Sequence, residues 1–360
     1  YLLCGGAFMI ISSIVHSLNI NDSELVSWSP YLSWIGLANW VPFFIISWSF
    51  EPYLANPEQR KKCGFILLSG SIPVIFTCIG QAFFNLNGPI EALNGIIIWY
   101  LRPLDGSIFG ATGLFNNRNI TGAWLNIIWP LSLAFYFEKE SKTKQYISLL
   151  LIVLISICII LTSSRAAWIG FFMGILLFIG LRSLKWLIGI IFIFFVLLIL
   201  SNSYQELNLL PFEIIDKFNN FQYMDRFEIW SNSLQIITQN PFFGNGASSF
   251  TESYKLISGI YKNHSHNIVL ELMINYGIPA ALLITIPIGY LISKSLKLVA
   301  FQSSRIYPFD KALITSLLII LFMHMVDIQY FDGRISIAIW ILIAAIKNIV
   351  FNNNSLKKRK

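Results

Sequence analysis

The spacing of apolar runs constrains this chain more than any other feature. Runs near 2–20, 31–50, 63–84, 119–137, 146–163, 165–181, 186–201, 267–292, 312–330 and 335–351 follow one another with polar breaks between them. About 20 apolar residues in a helix cross the hydrocarbon core of a bilayer, and spanning segments must satisfy their own backbone polar groups. The runs therefore predict an all-α polytopic membrane protein with about ten transmembrane helices in a single membrane domain, 1–360. Composition agrees: 56% of residues are hydrophobic and 12% charged, whereas soluble domains carry about 25% charged residues. The stretch Tyr146 to Leu181 is too long for one span. It divides at its polar cluster, Thr162-Ser163-Ser164-Arg165, where two helix termini would face each other.

The loops orient this arrangement. With the N-terminus on the inner side, eight of the 25 basic residues fall outside: Arg102, Arg118, Arg165, Lys217, Arg226, Lys255, Lys262 and Arg334. The rest, including Arg60, Lys61, Lys62, Arg305, Lys311 and the tail Lys357 to Lys360, fall inside, as the positive-inside rule requires. The net charge of +7 thus reads as membrane orientation, with no nucleic-acid partner. The basic tail suits anionic membrane lipid. Four scattered cysteines lack metal-like spacing and read as small packed residues. The chain starts without Met inside an apolar run, so further spans are expected before residue 1.

The same orientation places one long polar segment, 202–266, outside the membrane. Within it, Asp225 and Glu228 have capping-box spacing. Phe227, Trp230, Leu234 and Ile237 follow at helical spacing, and Asn240-Pro241 ends the pattern. This predicts an interfacial amphipathic helix, apolar face down, carrying Arg226 in its first turn, where backbone N–H groups favour an anion. Arg165 interrupts an apolar run. A cation at membrane depth is costly unless paired or solvated, so Arg165 either sets topology by snorkelling or binds an anion in a cavity. Two arginines suit a diphosphate, since each guanidinium offers a planar fork of donors.

His264 and His266 close the segment, just before an apolar run. Either Asn267 caps that helix beside ordinary histidines, or a histidine acts as a general base. The sequence offers no clear third ligand for a metal. His16 and His324, inside apolar runs, read as packed structural residues. Gly244-Asn245-Gly246 reads as a tight turn with positive φ; no lysine follows, which excludes a P-loop. Asn116-Asn117-Arg118-Asn119 either caps the next helix or touches sugar.

Three segments together resemble the O-antigen ligase and O-antigen polymerase superfamily of bacterial membrane glycosyltransferases. They are Leu161-Thr162-Ser163-Ser164-Arg165-Ala166-Ala167-Trp168; Arg226-Phe227-Glu228-Ile229-Trp230 followed by the Asn240 to Gly246 turn; and His264-Ser265-His266-Asn267 followed by Leu270-Glu271-Leu272 and Tyr276-Gly277. The resemblance implies a GT-C-like helical fold of about twelve spans in the family, in the bacterial inner (plasma) membrane with the active site on the periplasmic side. It implies an undecaprenyl-diphosphate-type lipid-linked glycan donor and a glycan, lipid A core or protein hydroxyl acceptor, with no metal and no cofactor. By motif, Arg165 and Arg226 would hold the diphosphate and His266 would serve the acceptor, with His264, Arg118, Asn119 and Asn267 contacting substrate. Ligase and polymerase remain alternatives on these residues, and an anion transporter of the bicarbonate type is the competing class.

Overall fold

The structure is a computed structural model of the 360-residue chain, and it describes residues 1–18, 28–104, 110–138, 141–180, 189, 223–301 and 306–351. Among these, the helices are α1 (Leu2–Leu18), α2 (Tyr31–Leu37), α3 (Val41–Tyr53), α4 (Pro57–Gly70), α5 (Ile72–Phe84), α6 (Arg118–Phe137), α7 (Lys142–Leu161), α8 (Arg165–Ile179), α9 (Tyr223–Gln239), α10 (Phe250–Ser258), α11 (Ile268–Phe301), α12 (Pro308–Met323) and α13 (Gly333–Phe351). Six helical segments among the described residues are long and apolar enough to cross a membrane: Tyr31–Tyr53, Pro57–Phe84, Arg118–Phe137, Lys142–Leu161, Ile268–Ala300 and Gly333–Phe351. Leu2–Leu18 and Arg165–Ile179 are apolar but shorter. The protein is a multi-pass membrane protein. The sequence-read span 186–201, apart from Gly189, lies outside the described residues, as do positions 202–222 of the polar segment, Lys217 among them, and the basic tail.

The described fold is mostly helical, as expected, with one local departure. Strands β1 (Gly88–Ala92) and β2 (Ile97–Leu101) form an antiparallel hairpin with Ile90 opposite Trp99. Its connection holds Leu93, Asn94 and Gly95 at positive φ. An Asn-Gly pair between apolar residues is a strong hairpin signal, and it stands in the sequence at Asn94-Gly95.

The described chain separates into two compact units. The first comprises Tyr1–Gln59, Tyr223–Leu298 and Leu321–Lys360. Its polar segment is built on a break in α11. Gly277 lies inside that helix at φ 86° and ψ 166°, which interrupts the helical ladder. The freed groups are taken up by the turn from Asn240 to Gly246. Asn245 N–H donates to the Ile274 carbonyl at 2.7 Å, and Ile278 N–H donates to the Pro241 carbonyl at 2.8 Å. Asn240 and Ile236 hold the Asn245 side chain from the other side, at 2.6 and 3.3 Å. The Asn-Pro-Phe-Phe-Gly-Asn-Gly motif is thus a plug for a helix break, with Gly244 and Gly246 at φ 70° and 88° as the turn requires.

Helix α9 packs beside this plug, partly through the face read from the sequence. Ile229, Ile236 and Ile237 are buried against Phe250, Tyr254 and Ile274, with Trp230 partly buried beside them. Of the four apolar residues read as one face, Ile237 and Trp230 join this cluster, while Phe227 and Leu234 are exposed at 67% and 56%. Ile229 and Ile236 complete the packed side. Asp225 is also not the residue that flanks the helix, because the backbone is already helical at Tyr223.

The second unit comprises Arg60–Gln222 and Val299–Ile320. Helices α6, α7 and α8 form an up-down-up set. Asn117 caps α6, accepting from the N–H groups of Asn119 at 2.9 Å and Ile120 at 3.3 Å. The long run divides where expected: α7 ends at Leu161, Ser163 adopts φ 51°, and Ser164 caps α8. A Cβ on Gly122 would sit 2.5 Å from that of Ala167, so α6 and α8 meet at a small-residue contact. Arg60, read as a solvated loop cation, is instead 1% exposed in α4 and forms a bidentate pair with Asp310 of α12, at 2.7 Å for both bonds. Burial of either charge without the other is strongly unfavourable.

Two outcomes follow from these contacts. Asp310→Asn leaves a buried guanidinium without its carboxylate and should cost about 3–5 kcal/mol of stability, read as a large fall in the unfolding midpoint of the purified protein; an unchanged midpoint refutes the assignment. A Cβ at Gly277 would fall 2.0 Å from the Phe242 carbonyl oxygen, so Gly277→Ala should cost at least about 1–3 kcal/mol, whereas Gly289→Ala, with open space around it, serves as the tolerated control.

Candidate active site

The histidines of the first unit gain their geometry from three bonds that fasten 266–268 to the turn after α12. Ile268 N–H donates to the His324 carbonyl at 3.0 Å. Asn267 Nδ2 donates to the Met325 carbonyl at 3.2 Å. His266 Nδ1 lies 2.9 Å from Asp327 Oδ1. Asn267 also caps α11, its Oδ1 accepting from Val269 N–H at 2.9 Å and Leu270 N–H at 3.2 Å. Of the two readings the sequence left for Asn267, the cap is the one observed, and its side-chain oxygen and nitrogen are both engaged.

His266 sits at φ 56°, in the left-handed region. Such a conformation stores strain and persists where neighbours enforce it. His264 is one enforcer: its Nδ1 accepts from the His266 backbone N–H at 3.2 Å. Glu271 is the other. Fully buried one turn into α11, its Oε2 accepts from Ser265 N–H at 2.9 Å and lies 2.9 Å from Ser265 Oγ. The two imidazoles meet edge to face, centroids 4.2 Å apart.

Protonation follows from this arrangement. Burial pushes the Asp327 carboxyl up, but the hydrogen bond and charge of His266, with further help from His264 and Arg226, outweigh it and hold the group below its ordinary value. Gln329 Nε2 donates to the other oxygen, Oδ2, at 2.9 Å. Ionised Asp327 accepts, so His266 Nδ1 carries a proton, and in the neutral form of that ring the lone pair is on Nε2. His264 is lowered as well. Burial, then the His266 charge, with Arg226 adding to the effect against Asp327, lowers it to about 4. At neutral pH His264 is therefore uncharged, and with Nδ1 accepting, its Nε2 bears the hydrogen.

Arg226, half-buried on α9, lies close enough for its charge to act on both His264 and Asp327. The structure thus brings His264, His266, Arg226 and the unforeseen Asp327 together in one unit. Arg165, Arg118 and Asn119 belong to the second unit. There Arg165 is exposed as the first residue of α8, and Arg118 and Asn119 open α6. Ala111 N–H bonds the Leu161 carbonyl at 2.8 Å, so the start of α6 and the α7–α8 turn share one end of that unit. Lys255 and Tyr261, near the histidines in sequence, contact each other.

Asp327, Gln329 and Glu271 were missed. Asp327 lay inside a run read as span 312–330, although α12 stops at Met323. A carboxylate within an apolar run is a functional signal by itself, and it was there to be read. Asp327 is also the third ligand that the sequence did not show: ligand atoms of His264, His266 and Asp327 lie within 4.8 Å of one another. These three residues could hold a metal ion, but only by giving up bonds they already make. His264 Nδ1 is occupied by a backbone N–H, and both Asp327 oxygens are engaged.

A multi-pass membrane protein with an Asp–His pair and an adjacent arginine has the equipment for proton removal beside an anion. The family model for O-antigen ligase matches residues 150–285. Over that stretch, less than half of the chain, the sequence is similar to the O-antigen ligase family. No curated protein matches the chain.

The neutral His264 generates a pH dependence. Unfolded, the group takes its proton near 6.5; folded, it does so near 4. The unfolded state binds more protons between these values, so stability falls as pH drops from about 6.5 towards 4. His264→Asn keeps an acceptor for the His266 N–H and removes the titration. The unfolding midpoint of this variant should lose much of its slope in that window; an unchanged slope refutes the account.

Proposed function

We propose that this chain transfers a glycan from an undecaprenyl-diphosphate-type lipid donor to an acceptor hydroxyl in surface polysaccharide biosynthesis, at the outer face of the bacterial plasma membrane. The observation that carries the reading is the 2.9 Å bond between His266 and Asp327. Asp327 fixes the imidazole with its free Nε2 lone pair outward, and it stabilises the imidazolium formed when that nitrogen takes a proton. His266 removes the proton from the acceptor oxygen as that oxygen attacks the anomeric carbon. Arg226 supplies positive charge for the departing lipid diphosphate, in bidentate hydrogen bonds that a guanidinium suits. By the sequence resemblance, Arg165 is a further anion-binding group and Arg118 and Asn119 contact substrate.

A single displacement inverts the anomeric centre. The carboxylate at the site, Asp327, is engaged by His266 and Gln329, which favours an orienting role over a nucleophilic one. The same occupied ligand atoms favour a metal-independent reaction. The acceptor separates ligase from polymerase: lipid A core or a protein hydroxyl for the first, a second lipid-linked repeat for the second.

Reconstitution of the protein with lipid-diphosphate glycan and these acceptors tests the proposal. His266→Ala and Asp327→Asn should each lower the transfer rate by about 10²–10⁴-fold, and the double variant should be little worse than either, since the pair acts as a unit. Arg226→Ala should also abolish most transfer, and chelators should leave it unchanged. Full transfer by His266→Ala, a product of retained configuration, or solute uptake by proteoliposomes without any glycan donor would each overturn the assignment.

A further inference from the structure

The first unit has a second polar feature, at the end remote from the histidines. Helix α13 begins six residues after Asp327, and Lys347 lies about 21 Å further along its axis at 1.5 Å per residue. There the last turns of α3 and α13 enclose a cleft of about 340 Å³, lined by Trp48, Glu51, Pro52, Ala55, Lys347 and Asn348. Both helices belong to membrane-crossing segments, so the cleft sits where two spans reach the opposite interface.

Its chemistry is specific. Lys347 Nζ and Glu51 Oε2 stand 2.7 Å apart, and both side chains remain partly exposed, at 53% and 29%. The lining therefore carries one cation and one anion and no net charge. Asn348 Nδ2 donates to the Glu51 backbone carbonyl at 2.8 Å, fixing the α3 end against α13. Pro52 lies inside α3 and has no N–H for the carbonyl four residues back, that of Trp48. The cleft thus presents one acceptor carboxylate, Glu51, beside one donor cation, Lys347. The Trp48 ring is 76% exposed, as indoles at the headgroup level are. Ile45, one turn back on the same face, is 56% exposed and extends an apolar strip towards the hydrocarbon.

We propose that this cleft is a binding site for a zwitterionic phospholipid with a primary ammonium headgroup, the phosphatidylethanolamine class. The phosphate pairs with Lys347, the ammonium donates to the Glu51 carboxylate, and an acyl chain follows Ile45. The four charges alternate in sign. An anionic lipid would meet the Glu51 carboxylate instead. A trimethylammonium headgroup has no N–H to give to that carboxylate. The site is independent of the transfer reaction assigned to the histidines.

The test uses the purified full chain, delipidated and then incubated with phosphatidylethanolamine, phosphatidylcholine or phosphatidylglycerol of matched chains, with bound lipid counted by native mass spectrometry. Phosphatidylethanolamine should be retained about tenfold over either competitor, the equivalent of one charge-assisted hydrogen bond. The soluble headgroup glycerophosphoethanolamine should not displace it, which distinguishes a lipid site from a small phosphate site. Glu51→Gln should bring phosphatidylethanolamine down to the level of phosphatidylcholine, in protein whose unfolding midpoint confirms that it is folded. Equal retention of the three lipids by the unaltered protein, or preference for phosphatidylglycerol, overturns the proposal without recourse to any variant.

Discussion

The bond between His266 and Asp327 is the contact on which the site depends, because it couples residues 61 apart that neither helix alone would bring together. It is the last of three links in register, after the backbone bond from Ile268 to His324 and the side-chain bond from Asn267 to Met325. Backbone and cap set the spacing, and the hydrogen bond between His266 and Asp327 completes it. The left-handed φ of His266 is the local strain that lets a residue at a helix start turn its ring towards the following turn. A low-dielectric setting makes such a pair strong when its lone pairs are filled and costly when they are not. Here Gln329 fills the second Asp327 oxygen.

Around that pair, two histidines of the same type receive opposite tasks from their surroundings. His266 has a carboxylate on one nitrogen. His264 has a backbone N–H on one nitrogen, and burial above all, with His266 and Arg226 adding to it, keeps it neutral. The difference between the two histidines follows from which partner each Nδ1 meets. It does not follow from the residue type or the alternate spacing in His-Ser-His.

Much of this was legible beforehand. The breaks at Thr162 to Arg165, the cap at Asn117, the tight turn at Gly244 to Gly246 and the end of α9 at Asn240-Pro241 are local events, governed by residues a few positions apart. Asp327 and the buried face of α9 were not legible in the same way. Asp327 sits in an apolar context, and average hydropathy over a window absorbed it into a span. Phe227 and Leu234 score as strongly as Ile229 and Ile236, and only the shapes of Phe250, Tyr254 and Ile274 decide which of them are packed. Arg60 shows the same limit, since a cation counted as loop charge found a carboxylate 250 positions away.

The sequence by itself determined that this chain folds into apolar helices across a membrane, where they break, and which histidines and arginines are set in polar surroundings. The reason is that hydropathy, capping and turn chemistry act over one or two helical turns. Tertiary structure alone decided which carboxylate meets His266, that His264 is held neutral, and which apolar residues of α9 are buried. Those outcomes depend on burial and on partners distant in sequence, and only the packed chain sets either.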